Sequence, residues 1–216
     1  MHSLMQQIKT TQSLYDYPMV IAFIQSKGIE LFGKKFLLLD SDSMIILKLS
    51  IYFLKDEVLA ETYQVDLFKG IMLSGPVGCG KTSLMFIMKY LLNNDSNFTI
   101  KSVRDIASDF SRDGYDTLLK YTRLSFNSYN NRPITFCFDD VGLEPTVQYY
   151  GNQCNTMSEI LLSRYDYFQQ QHMLTHITTN LSASEIQERY GIRVRSRMRE
   201  LFNLIAFDKT TLDKRK

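Results

Sequence analysis

Apolar and polar positions follow two regimes along the chain. From about residue 67, short apolar runs alternate with longer amphipathic segments, the pattern of strands separated by helices. Leu67 to Leu73 reads as the first core strand, and Thr82 to Leu92 as the helix after it. Phe98 to Val103 predicts a strand with Arg104 to Phe110 helical behind it, and Leu118 to Phe126 a further helix. Pro133 opens an apolar strand, Ile134 to Phe138. Met157 to Gln171 reads as a long helix, and Leu174 to Thr179 as a β-rich strand. Ser184 to Tyr190 and Val194 to Leu201 predict two helices broken at Gly191, before a last strand, Phe202 to Phe207. Such alternation predicts a three-layer α/β domain with a mostly parallel central sheet.

Residues 1–66 are less regular. Met19 to Ile29 predicts a short helix ending near Gly28. Apolar runs at Phe36 to Leu39 and Met44 to Ile51 flank Asp40-Ser41-Asp42-Ser43. Periodicity leaves the second run open between helix and strand. Leu49 to Leu54 continues a helix, with Lys55-Asp56-Glu57 near its end. No clean linker separates this stretch from the regular region beginning near residue 67. Residues 1–66 are therefore read as an N-terminal extension, partner-binding or packed on the core. Residues 67–216 form the main domain, with a short basic tail.

Composition narrows the class. With 44% apolar and 22% charged residues, the chain has enough of both to fold and stay soluble. A formal net charge of +2 argues neither for nor against nucleic acid. Cys79, Cys137 and Cys154 lack metal-ligand spacing, so a reduced, cytoplasmic protein is expected. His172 and His176 are four apart but flank a helix-to-strand junction, and no site is assigned to them. Met1 to Thr10 is polar, and no apolar run is long enough to span a membrane.

The candidate chemistry begins with Gly75-Pro76-Val77-Gly78-Cys79-Gly80-Lys81-Thr82-Ser83, set between the first strand and the helix after it. This is a Walker A arrangement in its strand-loop-helix context. Glycines let the backbone curl so that its N–H groups face phosphate oxygens. The helix starting near Gly80 adds the positive end of its dipole. Lys81 would reach the β- and γ-phosphates, and the Thr82 hydroxyl would bind Mg²⁺. A nucleoside triphosphate is the expected ligand.

Ile134 to Phe138 leads to Asp139-Asp140, the natural Walker B pair. Ligands bind at the carboxyl ends of strands in open α/β sheets. Asp139 would hold Mg²⁺ opposite Thr82, and Asp140 would polarise the attacking water. Taken alone, the pair also fits a turn or helix cap. Asn180, after Thr178-Thr179, would orient water beside the γ-phosphate if its strand neighbours both loops, or else cap the next helix. Arg189, Arg193, Arg195, Arg197 and Arg199 form the strongest basic cluster. On a helix, Arg193 and Arg197 share a face, which could meet a neighbour's triphosphate, nucleic acid or solvent.

Together these segments resemble the AAA+ ATPases of the bacterial and phage replicative helicase loader group, DnaC-like, and the related IstB-like transposition helpers. The resemblance spans about residues 67–207. It rests on Gly75 to Thr82, Asp139-Asp140, Asn180 as a sensor 1 residue, and Gly191 to Arg199. It implies Arg197 as the arginine finger acting on a neighbouring subunit, with Arg193 second. It further implies a Mg²⁺-dependent ATPase, slow alone, that assembles as an ATP-dependent homo-oligomer. Single-stranded DNA and a hexameric replicative helicase are the implied partners. A separate C-terminal lid is expected to be absent, as the resemblance to loaders of this kind implies, and Asp140 replaces the more usual glutamate.

The alternatives are a transposition helper on double-stranded DNA with a transposase partner, or an ATP-gated interaction module with negligible hydrolysis. A small-molecule kinase fits worse, since the arginines lie in the wrong region for a lid. A GTPase would need an Asn-Lys-x-Asp segment, which Thr179-Asn180-Leu181-Ser182 does not provide.

Overall fold

The computed structural model describes residues 13–92 and 97–215; the polar start at Met1 to Thr10 lies outside the described residues. The described chain divides into two compact units. One runs to Leu67 and also takes in Gly75 to Asn97 and Ile205 onward; the other holds Phe68 to Ser74 and Phe98 to Leu204.

The second unit carries the sheet. Strands β1 (Gly70–Ser74), β2 (Thr99–Ser102), β3 (Phe136–Val141), β6 (Thr175–Thr179) and β7 (Phe202–Ala206) lie in the order β2-β3-β6-β1-β7. β1 with β6, β6 with β3, and β3 with β2 pair in parallel. Helices α5 (Val103–Asp113), α6 (Tyr115–Tyr121), α7 (Thr156–Gln171) and α8 (Ala183–Leu201) flank it, giving the three-layer α/β architecture. β1 up to Leu73 and the first half of β3, Phe136 to Phe138, are apolar and buried, as strands covered on both faces must be. Phe136, Phe138 and Ile177 from the strands pack with Ile106, Ile160 and Val194 from the helices in one core.

Local chemistry explains the element ends. Ser182 and Glu185 form a reciprocal capping box that starts α8. Gly191 has φ 85° and ψ 165°, so the helix breaks there without ending. A Cβ-bearing residue is strained at that φ. α6 begins at Tyr115 and is over by Tyr121, earlier than Leu118 to Phe126 predicts. The Thr122 and Leu124 N–H groups instead close turns on Leu119. A short hairpin, β4 (Val147–Tyr149) and β5 (Asn152–Cys154), follows β3. His172 caps α7 in the left-handed region, while His176 lies in β6, where its Nδ1 accepts the Ile71 N–H at 3.0 Å. They flank the junction as expected.

In the first unit, α2 (Ser43–Leu54) is the central helix, with Ile45, Ile46, Leu49 and Phe53 all buried. This resolves the run at Met44 to Ile51 as helix. α1 (Tyr17–Phe32) is capped by Asp16 and runs past Gly28 to Gly33. Gly28 does not stop the helix: a Cβ there would sit 2.1 Å from the Phe36 ring, so the glycine serves close approach. α3 (Glu57–Thr62) is capped by Asp56, whose second oxygen accepts from Ser13 and from the buried Tyr17 hydroxyl. Burial and that carboxylate both push the Tyr17 phenol up. α4 (Lys81–Met88) completes the unit, and a short 3-10 turn at Lys89–Leu91 continues it.

Candidate functional site

The phosphate-loop segment belongs to the first unit. Gly78 and Gly80 have φ 79° and 100°, so the chain curls between β1 and α4 through conformations that favour glycine. Gly80 caps α4, and the first helical bond is Leu84 N–H to Gly80 O at 2.9 Å. A helix start of this kind directs the N–H groups of its first turn outward. Lys81 is buried, and its ammonium donates to Gly75 O at 2.9 Å and Pro76 O at 2.8 Å. The lysine charge is thus held inside the curl, and the loop fits a polyphosphate: curled backbone, helix start and one buried cation. Cys79 is buried in the same loop, which pushes its thiol up; Lys81 and Lys214 oppose that.

One part of this loop is not legible in the motif. The C-terminal tail returns to it: the Lys214 N–H donates to Gly78 O at 3.0 Å. A Cβ at Gly78 would lie 2.0 Å from the Asp213 carboxylate. The Lys214 ammonium pairs with Asp42, which is buried at the start of α2. N-terminal extension, loop and tail are therefore joined through one lysine. Lys214→Met is expected to lower stability by about 2 kcal/mol, less than a fully buried pair because the lysine is partly exposed. Thermal unfolding reads this directly; an unchanged Tm would mean that the pair does not anchor the tail.

The acidic and polar tips belong to the second unit. β6 lies between β1 and β3, with Leu73 beside Thr178 and Ser74 beside Thr179. Asp139 and Asp140 lie in the last half of β3, before Val141, and Asp140 adopts φ 62°. Thr178 holds both: its hydroxyl donates to Asp139 Oδ1 at 2.7 Å and accepts the Asp140 N–H at 2.8 Å. The neighbouring Thr179 hydroxyl donates to Val141 O at 2.6 Å and accepts from the Leu181 N–H. Asn180 thus follows a strand tip whose hydroxyls are locked to the end of β3. Thr178 is the residue that sequence reasoning passes over; the hint was a threonine pair at the end of an otherwise apolar strand.

The arginines separate by environment. Arg197 donates to the Tyr165 hydroxyl at 3.0 Å, lies 4.3 Å from that ring's centroid and pairs with Glu200 at 3.5 Å. Arg193 is exposed, one turn earlier on the same half-helix.

No family model matches the chain, and no curated protein matches its sequence. Solved structures do. A crystal structure of the DnaC helicase loader aligns at TM-score 0.52 and 16% identity, covering 80% of this chain and 93% of that one. The chain shares the fold of that structure. DnaI aligns at TM-score 0.52 and 16% identity, covering 85% of this chain and 94% of its own. AMPPCP-bound DnaA from Aquifex aeolicus gives 0.51 and 14%, covering 80% of this chain and 48% of that one. Among the described residues, no helix is long and apolar enough to cross a membrane.

Proposed function

We propose that this chain is a DNA-replication accessory ATPase that loads or remodels a hexameric helicase through ATP-controlled assembly. The observation that carries the reading is the strand order. It sets Thr178-Thr179, with Asn180 next in the chain, between the strand that leads into the Walker A loop and the strand that carries Asp139-Asp140. Sequence order and strand order together support reading these segments as the Walker A, Walker B and sensor 1 set of an AAA+ protein. Similarity to a helicase loader and to an AMPPCP-bound initiator supports the nucleotide and the replication context.

In this reading Gly75 to Ser83 wraps the phosphates, and Lys81 turns from the loop carbonyls to the β- and γ-phosphates. Bound Mg²⁺ supplies charge neutralisation on the phosphate oxygens. Thr82 and Asp139 would hold it. Asp140 positions water, with reach limited by its short side chain and fixed by the Thr178 bond to its N–H. Asn180 orients that water. Because Asp140 is one methylene shorter than glutamate, turnover is slow until assembly completes the site. Negligible turnover with retained binding is the ATP-gated module.

The neighbouring subunit supplies an arginine. To act in trans, Arg197 has to leave Tyr165 and Glu200, whereas Arg193 is already exposed. Arg193→Ala and Arg197→Ala are both expected to keep monomer nucleotide affinity. The finger variant loses about 10³-fold of the assembly-dependent turnover, the scale of a trans arginine. If both variants match the wild type at every protein concentration, the α8 arginines are not fingers.

The deciding experiment is ATP turnover across protein concentration, with and without single-stranded DNA, double-stranded DNA and a replicative helicase. Stimulation by helicase or single strands supports the loader. Stimulation by double strands alone supports the transposition helper. Tight binding without turnover supports the interaction module.

A further inference from the structure

We propose that Glu144 is a positioning residue that ties the Asp139-Asp140 turn to the arginine-bearing end of α8. It deepens the ATPase reading above and rests on it only for the turnover test. Glu144 lies just past the acidic pair, in the same compact unit as α8, and its side chain is 1% exposed. A carboxylate so deeply buried is costly unless donors surround it. Here they come from two directions. Oε2 accepts the Gly142 N–H at 2.9 Å, which fixes the turn after β3. Oε1 accepts from the Tyr190 hydroxyl and, at 3.4 Å, from Arg189 Nε. The Glu144 carbonyl also accepts from Arg189 Nη2.

Both ends of this link lead to candidate chemistry. On one side, the Leu143 N–H closes a turn onto Asp140 O at 3.0 Å, so Glu144 holds the turn that presents Asp140. Asp140 itself sits at φ 62°, a conformation that needs outside support. On the other side, Arg189 and Tyr190 are the last residues before the break at Gly191, after which Arg193 and Arg197 follow. The half-helix beyond a glycine break has its direction set by what anchors the residues before it. Burial and Glu144 push the Tyr190 phenol up, so it stays a hydrogen-bond donor at neutral pH. One buried carboxylate therefore carries displacement of the arginine helix to the water-positioning aspartate, and the reverse.

Two variants keep the test clear of misfolding. Glu144→Gln keeps an acceptor for the Gly142 N–H but loses its charge toward Arg189. Tyr190→Phe removes one donor to Glu144 and changes no group of the turn itself. Hydrogen exchange on the full chain without nucleotide reads the link directly. In both variants, amides of 140–144 and of 190–199 are expected to lose protection together by about tenfold, with α5 and β2 unchanged. Loss in one segment alone would overturn the link. In turnover, Glu144→Gln is expected to lower assembly-dependent kcat about tenfold with ATP affinity unchanged, the pattern of a lost transition-state arrangement. Loosened exchange with wild-type turnover would make the cluster purely structural and overturn the positioning role. If the wild-type protein binds no ATP, the ATPase reading fails, and exchange alone decides the link.

Discussion

Arg164→Met is expected to lower stability by about 4 kcal/mol, the range for breaking a buried hydrogen-bonded charge. Arg164 is fully buried in α7. Its guanidinium makes five hydrogen bonds, and none of them is to a carboxylate. Nε donates to Thr175 Oγ1 at 2.7 Å. Nη1 donates to Tyr121 O and Ser125 Oγ, and Nη2 to Ile134 O and Leu174 O. The group also lies 5.4 Å and 5.7 Å from the ring centroids of Phe136 and Phe138. Burial lowers its pKa to about 9, so it remains charged at neutral pH. The hydrogen bonds and ring faces offset the desolvation cost. Methionine would fill much of the volume and leave those acceptors buried without a donor. For a chain of this size the expected fall in Tm is roughly 8–16 °C. Arg164→Lys retains the charge but not the planar fork, so it should recover only part of the loss. A Tm within about 3 °C of wild type for Arg164→Met would refute this account, since that corresponds to only about 1 kcal/mol.

The contrast between Arg164 and the phosphate loop shows what the sequence makes legible. The loop is a local object: its turn, charge and helix start lie within nine consecutive residues, so motif reading locates it. The strands are equally plain because burial on both faces leaves apolar runs. Arg164 reads only as a polar position in a long amphipathic helix. Its acceptors come from Tyr121, Ser125, Ile134, Leu174 and Thr175, segments that only the fold brings together. Glu144 and Lys214 are hidden for the same reason. Gly28 and Gly33 show the complementary error. The one-dimensional reading stops the helix near Gly28, yet Phe36 packs on that glycine and Gly33 ends the helix. The order of strands was also out of reach. Alternating elements predict a parallel sheet, but not that β6 inserts between β1 and β3.

Lys81→Ala is expected to weaken binding of Mg²⁺-ATP by about 10²–10³-fold, roughly 3–4 kcal/mol. In the fold the ammonium is held by Gly75 O and Pro76 O, two carbonyls of the loop it serves. That storage keeps a buried cation beside the curl. Phosphate oxygens are stronger acceptors than carbonyls, and the switch between them is what binding adds. Alanine removes the charge and also the aliphatic stem, so Lys81→Met is the control that keeps most of the stem. Titration with a fluorescent ATP analogue gives both affinities. Thermal unfolding gives an independent reading: ATP at about one hundred times Kd adds about 2.7 kcal/mol to the wild type. The corresponding rise in Tm is roughly 5–11 °C, and it should be nearly absent in both variants at the same ATP concentration. A shift that persists in both variants would place ATP elsewhere on the chain. Loss in alanine with retention in methionine would show that the stem, not the charge, shapes the loop.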